Sequence, residues 1–343
     1  MLELLNNGVV RVVLLGTMTL GLVSGVLGVF TLLRKQALIG DALSHATLPG
    51  VVLMFIFTTS KDVSVLVIGA ALSSGVAMIL MRLIKKYSIL KNDAVLALIL
   101  SSFFGLGRFL ISLIARYPQF SQAKLDDFIF GSAATMVESD VQSLLIVCLV
   151  VLVVIIVLWR HLKAQTFDPL FYQSLGFSNT FMEFCVSFMM ILVIVSGIQS
   201  VGVILMSSLL IVPGIAARQW SHRLHINVLL AGIFGLFSAF IGTLYSVNSQ
   251  LPTGPVIVIV GTVIALLSLL IAPQRGILAK EIRDRKHQKQ IIRYRTLIHL
   301  SMNETIDEEI PKYLYEEFLI NEHDELTHQG YQKVQSILGD DYI

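Results

Sequence analysis

Charge is what this chain has least of. Charged residues make up 14% of its 343 residues and hydrophobic ones 55%, against roughly 25% charged in ordinary soluble domains. Mean hydropathy is +0.79. A soluble chain of this length would lack the charge to cover its surface. A secreted enzyme, a nucleic-acid binder and a disordered scaffold are therefore excluded as readings of the whole chain, and a polytopic membrane protein remains. Cysteine is nearly absent too: Cys148 and Cys185 lie in apolar runs and form no CxxC or zinc spacing, so they read as small buried or lipid-facing hydrophobes. No Gly-Lys pair occurs, which excludes a P-loop, and neither HExxH nor a nucleophile elbow is present. The chain is thus not expected to hydrolyse ATP by itself. The N-terminus does not read as a cleavable signal, because Glu3 and Arg11 precede a run long enough to span.

What is there is apolar runs. A bilayer core of ~30 Å needs ~20 helical residues. Nine runs of that size are found, at about 12–33, 43–60, 63–81, 94–115, 141–159, 181–198, 200–217, 226–247 and 254–272. The second contains Pro49, and the sixth and seventh nearly touch at Gly197–Ser200, so eight spans would also fit if one is re-entrant. The expected fold is an all-α polytopic helical bundle. Lys and Arg set its orientation. Eleven fall in one alternate set of loops: Arg34, Lys35, Arg82, Lys85, Lys86, Lys91, Arg160, Lys163, Arg218, Arg223 and Arg275. The other set holds four, Arg11, Lys61, Arg116 and Lys124. The first set is read as cytoplasmic, with the N-terminus outside and the C-terminus inside.

Small residues recur within the runs (Gly21, Ser24, Gly25 and Gly28; Ser73, Ser74 and Gly75; Gly232 and Gly235), a signal for close helix packing in lipid. Arg108 sits inside the fourth run and is read as snorkelling to the outer surface or facing the bundle interior. Residues 117–140 form the longest outside connection, with a short interfacial or re-entrant turn expected at Phe128–Gly131. After Pro273 the composition changes. Residues 276–295 carry seven Lys or Arg against two acids, and residues 304–343 carry eleven acids against Lys312 and Lys333. We divide the chain into a membrane part, 1–275, and a cytoplasmic extension, 276–343. The extension reads as a basic helix against anionic headgroups or neighbours, then a small folded acidic appendage with apolar positions Ile310, Leu314, Phe318, Val334, Ile337 and Leu338. Leu326–Gly330 and the stretch after it resemble, over about fifteen residues, the end of the wing in metal-dependent winged-helix repressors. His287, His299, His323 and His328 are scattered and read as solvated.

Two stretches carry chemistry. In Arg34–Gly50, Asp41 and His45 are four apart, which on a helix puts them on one face with Cβ atoms ~5–6 Å apart. A carboxylate oxygen and an imidazole nitrogen so placed suit Mn, Fe or Zn better than copper(I). The competing reading makes Asp41 a helix cap and His45 a satisfied interfacial polar group. In Gln199–Arg218 an apolar span meets Pro213, where the helix is expected to break or kink. Gly214–Leu224 would then form a short helix along the cytoplasmic membrane face, placed to receive force from a soluble motor; an ordinary helix end and loop is the alternative.

At these two stretches the sequence is recognisable. Arg34–Gly50 resembles the signature after the first span of the ABC permease family that imports zinc, manganese and iron(II). Gly202–Arg218 resembles that family's second signature. The likeness extends over residues 8–273 and includes Phe130-Gly131-Ser132. It implies a type II ABC importer-like permease in the bacterial cell (inner) membrane, with no ATPase of its own. It further implies a dimer with a second permease copy or paralogue, cytoplasmic ABC ATPase subunits and an extracytoplasmic metal-binding protein. On this resemblance Asp41 and His45 match the family's metal ligands in the translocation path, and Pro213, Gly214, Ala217, Arg218 and Arg223 fall in its ATPase-coupling segment. No permanent cofactor is implied; the metal ion is cargo. The chain departs from the pattern at Gly214, where Ala is commoner, at Arg108, and in the tail. Two other classes are weighed: a proton- or sodium-coupled transporter with Asp41 and His45 as a proton relay, and a membrane-anchored sensor or enzyme with the tail as its active module.

Overall fold

The computed structural model describes residues 8–59, 63–116, 136–302, 310–321 and 325–338. Among them regular structure is helical apart from one isolated bridge, Ile320–Leu326. The chain divides into two compact units, Met1–Leu269 and Leu270–Ile343.

The first unit is the bundle. Its helices are α1 (Gly8–Leu33), α2 (Ile39–Thr58), α3 (Val63–Tyr87), α4 (Asn92–Ile114), α5 (Glu138–Val157), the short α6 (Trp159–Phe167) and α7 (Pro169–Ser174), α8 (Asn179–Trp220), α9 (Leu224–Ser249) and α10 (Thr253–Ile271). Nine segments among the described residues are long and apolar enough to span a bilayer, α8 supplying two, Asn179–Ile198 and Val201–Trp220. The second span begins at Ile39 and not near residue 43, so Asp41 lies inside the helix. The expected turn at Phe128–Gly131 and the Phe130-Gly131-Ser132 match lie outside the described residues.

Helix α1 is the hub, and small residues make it so. A Cβ on Gly21 would overlap the Gly235 carbonyl oxygen, and one on Gly25 would overlap that of Ala231. Because 21 pairs with 235 and 25 with 231, α1 and α9 are antiparallel at backbone contact, and α9 starts at the end where α1 finishes. The Thr17 and Thr243 hydroxyls lie 2.9 Å apart across the same seam. The same logic joins α2 to α3 at Gly50 and Gly69. Ser74 is buried and donates to the Leu43 carbonyl at 3.3 Å. At Gly75, by contrast, nothing lies within 4 Å of the place a Cβ would take, so it does not belong to the packed set.

The expected break at Pro213 is not found. The break is at Gly202, whose φ of 80° and ψ of 165° interrupt the helix. It is a reversal: Met190 and Leu210, from the two sides of it, both pack on Gly40, and Met206 packs on Gly197. Pro213 stays within the helix, its ring 3.3 Å from where a Cβ of Gly25 would sit. A proline inside a membrane helix is tolerated where neighbouring helices accommodate it, and here the side-chain-free Gly25 leaves room for the ring. Only glycine adopts the Gly202 conformation without strain, so the turn falls there.

The second unit holds α11 (Ile277–Arg293), α12 (Arg295–Ser301), α13 (Lys312–Glu316) and α14 (His328–Leu338). Helix α11, the basic one, buries none of its side chains. The acidic part is folded around Tyr294, Leu297, Ile298, Leu314, Leu319, Ile320, Val334 and Ile337, with Ile310 against them. Phe318 is a correction to the expected apolar set. It is 74% exposed and sits at φ 55°, because the chain turns there to bring Leu319 and Ile320 inward.

Candidate metal site

Leu38 occupies the N-cap of α2 and makes no side-chain cap bond. Asp41 is therefore not a cap but a residue of the first turn, where its charge favours the positive end of the helix. From Ile39 to Val52 every residue is buried except Asp41 and His45. The one accessible stripe on this stretch of α2 is thus its two ionisable residues. His45 Nε2 lies 3.4 Å from Asp41 Oδ1, with side-chain exposures of 18% and 25%. The His45 ring meets that of Phe104 on α4 in a T-shaped contact, centroids 4.9 Å apart at 78°. The neighbouring hydroxyls are turned back on their own helix: Ser44 donates to the Gly40 carbonyl at 2.8 Å and Thr47 to that of Ser44 at 2.6 Å. No cluster of three or more His, Cys, Asp or Glu exists among the described residues. The pair offers two donors, a hard oxygen and a borderline nitrogen. Such a set can hold a divalent cation briefly, which suits a carrier better than a storage site.

The second segment is arranged differently from expectation. Helix α8 continues through Gly214 to Trp220, and only 221–223 separate it from α9. No separate Gly214–Leu224 helix forms. The Ser221 hydroxyl accepts the Arg223 amide at 3.1 Å and closes the turn. Pro213, Gly214 and Ala217 are buried or nearly so, Arg218 is half-buried and Arg223 exposed. Arg108 is exposed on α4, one turn from Phe104.

Sequence reasoning missed α6 and α7. The signals were capping ones. Asp168 accepts the Phe171 amide at 2.9 Å ahead of Pro169 at the first helical position, and Ser178 accepts the Phe181 amide at 3.3 Å to open α8. His161 Nδ1 lies 3.1 Å from the Tyr172 hydroxyl, and the Tyr172 ring stacks on Phe177 at 5.2 Å. Phe167, Leu170, Phe171 and Leu175 are left exposed. This pair of helices lies at the end of the bundle where α1 finishes, since Arg34 Nε donates to Thr166 Oγ1 at 3.3 Å and the Phe30 and Trp159 rings meet edge-on. Burial pulls the Arg34 guanidinium down to about 10, with Glu183 acting in the opposite direction.

Residues 6–272 match the model of the ABC 3 transport family. The chain belongs to this family. It is 40% identical over 287 residues to the zinc transport system membrane protein TroC of Treponema pallidum, covering 83% of this chain and 96% of that one. It is equally identical, over the same length, to the manganese transport system membrane protein MntC of Bacillus subtilis, covering 66% of that protein. Among solved structures, PsaBC from Streptococcus pneumoniae in complex with Fab matches with a TM-score of 0.71 and 30% identity over 82% of this chain and 98% of that one. The family span ends close to where the first unit ends, so membership rests on the bundle and leaves the tail aside.

Proposed function

We propose that this chain is the membrane-spanning permease subunit of an ABC importer for a divalent transition metal, with zinc and manganese, the ions named for its relatives, as the leading cargoes and iron(II) as a third. The observation that carries the site is the Asp41–His45 pair as the sole accessible stripe on an otherwise buried stretch of α2. An ionisable pair in a span costs ~2.5–3.5 kcal/mol per carboxylate on insertion scales, and passing a divalent cation is a reason to keep one. Two donors leave the ion's coordination incomplete. Further oxygens come from a second permease copy or paralogue or from cargo water, after an extracytoplasmic metal-binding protein has delivered the ion from the far side. Nothing in the bundle favours the proton- or sodium-coupled alternative.

Work is supplied from outside the chain by a cytoplasmic ABC ATPase subunit. With the N-terminus outside and the C-terminus inside, as the Lys and Arg bias favours, the cytoplasmic end of the bundle presents Arg218, Arg223 and the α6–α7 pair. Pro213, Gly214 and Ala217 serve this region by packing and not by contact. We assign the motor's contact to the accessible part, where the exposed Phe167, Leu170 and Phe171 flank Arg160 and Lys163.

The test is metal uptake and metal-dependent ATP hydrolysis in proteoliposomes holding this chain, its ATPase and its binding protein. Asp41→Ala and His45→Ala are expected to assemble and to lose uptake of one divalent ion by about ten- to a hundredfold or more, the scale on which even outer-shell ligand changes act. Normal transport by both variants sinks the ligand assignment. Uptake that persists without ATP but needs a proton or sodium gradient sinks the importer reading itself.

A further inference from the structure

Six buried side-chain nitrogen or oxygen atoms lack a hydrogen-bond partner among the described residues, and three of them belong to one junction: Arg34 Nη2, Gln165 Oε1 and Asn179 Oδ1. The junction is otherwise well tied. Arg34 Nε donates to Thr166 Oγ1, whose hydroxyl donates on to the Leu162 carbonyl at 2.6 Å. Gln165 Nε2 donates to the Asn179 carbonyl at 2.9 Å, and Asn179 Nδ2 donates to the Pro169 carbonyl at 3.0 Å. One unmade donor and two unmade acceptors therefore sit on side chains already linked to the same pair of short helices. Buried polar atoms are nearly always paired, so a complementary unpaired set in one place calls for a cause.

The junction connects two things that matter. On one side are α6 and α7, the elements exposed at the end of the bundle. On the other is the link 34–38 into α2. That link has no slack: Lys35 is at φ 56°, Gln36 N bonds the Thr31 carbonyl at 2.9 Å, and Ile39 N bonds that of Gln36 at 3.0 Å. Asp41 lies in the first turn beyond it. Glu183, one helical turn after Asn179, adds a charge that acts on Arg34.

We propose that Arg34, Gln165 and Asn179 form a two-state polar joint that carries movement of α6–α7 into α2 and so to Asp41 and His45. In the arrangement seen, Arg34 holds Thr166 and the remaining donor and acceptors are unmade. When the ATPase displaces α6–α7, Arg34 Nη2 closes on Gln165 Oε1 or Asn179 Oδ1, and the 34–38 link shifts with it. The three are positioning residues and touch no cargo. The inference rests on the importer reading above.

The experiment uses the assembled complex in proteoliposomes and reads ions imported per ATP hydrolysed. Arg34→Gln is expected to lower that ratio about tenfold while hydrolysis itself changes by less than about twofold. Gln165→Leu should act in the same direction. Arg34→Lys should recover part of the ratio, because it keeps charge and donors but not the planar fork. A second readout does not depend on activity. Spin labels placed by Lys35→Cys and Lys163→Cys, both exposed positions, in a Cys148→Ala, Cys185→Ala background, should change separation when the ATPase is trapped with a nucleotide analogue. Adding Arg34→Gln should enlarge the change, because α6 still moves with the ATPase while residue 35 no longer follows it; an identical change in both backgrounds would count against the joint. Uptake and hydrolysis falling in parallel, an unchanged ratio, or a label distance that nucleotide does not alter would each overturn the joint. A wild-type complex that imports without ATP overturns the importer reading and the joint with it; a coupled wild type beside an unaffected Arg34→Gln overturns the joint alone.

Discussion

Adding one methyl group to a glycine has opposite expected signs at two sets of positions in this bundle. At Gly21 and Gly235 the new Cβ would overlap a backbone carbonyl oxygen of the facing helix. Backbone cannot swing aside as a side chain can, so α1 and α9 must separate along the seam. That movement also stretches the 2.9 Å Thr17–Thr243 contact, whose kind is worth about 0.6 kcal/mol in membrane bundles. Overpacking costs typically about 1–3 kcal/mol, so Gly21→Ala should destabilise by about 2–3 kcal/mol, offset by the ~0.5–1 kcal/mol that alanine gains over glycine in a helix. The net expectation is a loss of about 1–2.5 kcal/mol. At Gly75 and Gly105 nothing lies within 4 Å of the added carbon, and only the helix-propensity gain remains. Gly75→Ala and Gly105→Ala should therefore be neutral or stabilising by up to about 1 kcal/mol. The assay is reversible denaturation of the purified chain in detergent, with Gly21→Ala, Gly75→Ala and Gly105→Ala measured side by side. If Gly21→Ala and Gly75→Ala shift stability equally, or if Gly75→Ala is the worse, the packing argument for α1 is refuted.

Three further expectations follow from single observations. Gly202→Ala places a Cβ at φ 80°, ψ 165°, a region essentially reserved for glycine, and should cost about 1–3 kcal/mol of stability by the same denaturation measurement; a neutral result would mean that the reversal relaxes without glycine. Asp168→Ala removes the cap on α7 and should cost about 0.5–2 kcal/mol, read as faster amide hydrogen exchange confined to 169–175. Tyr294 is buried and donates to Glu317 Oε2 at 3.0 Å, and burial followed by that bond raises its pKa. A raised folded pKa stabilises the second unit below the ordinary tyrosine value and withdraws that stability as pH rises through the folded one. The unit should thus loosen at strongly alkaline pH, and Tyr294→Phe should lessen that loss, as followed by tyrosinate absorbance and exchange protection of α12.

Much of the bundle was legible from composition because lipid allows few solutions. With no water to satisfy the backbone, an apolar run of sufficient length must be helical, which is why spans could be located by length alone. The i, i+4 spacing likewise put Asp41 and His45 on one face once the run was helical. Helices α6 and α7 escaped because nine and six residues fall far below span length, and their signal lies in capping at Asp168 and Ser178. Pro213 drew attention as a breaker, but proline's cost depends on what lies beside it, and Gly25 on α1 leaves room for the ring. Phe318 was periodic with the core and still points out, since a turn at positive φ overrides periodicity.

The amino-acid sequence by itself determined that this protein lives in a bilayer, that it has eight or nine segments able to cross, where positive charge accumulates, and that a carboxylate and an imidazole share one helix face. These are properties of single segments, set by local period and by the solvent each segment must enter. Tertiary structure alone decided which glycines are contacts and which are open, that the long eighth helix turns back at Gly202, that Asp41 and His45 are the accessible stripe of a buried helix, and that Arg34 meets α6 at the end of the bundle. Each of those depends on the distance between residues far apart in the chain, and no local pattern encodes a distance.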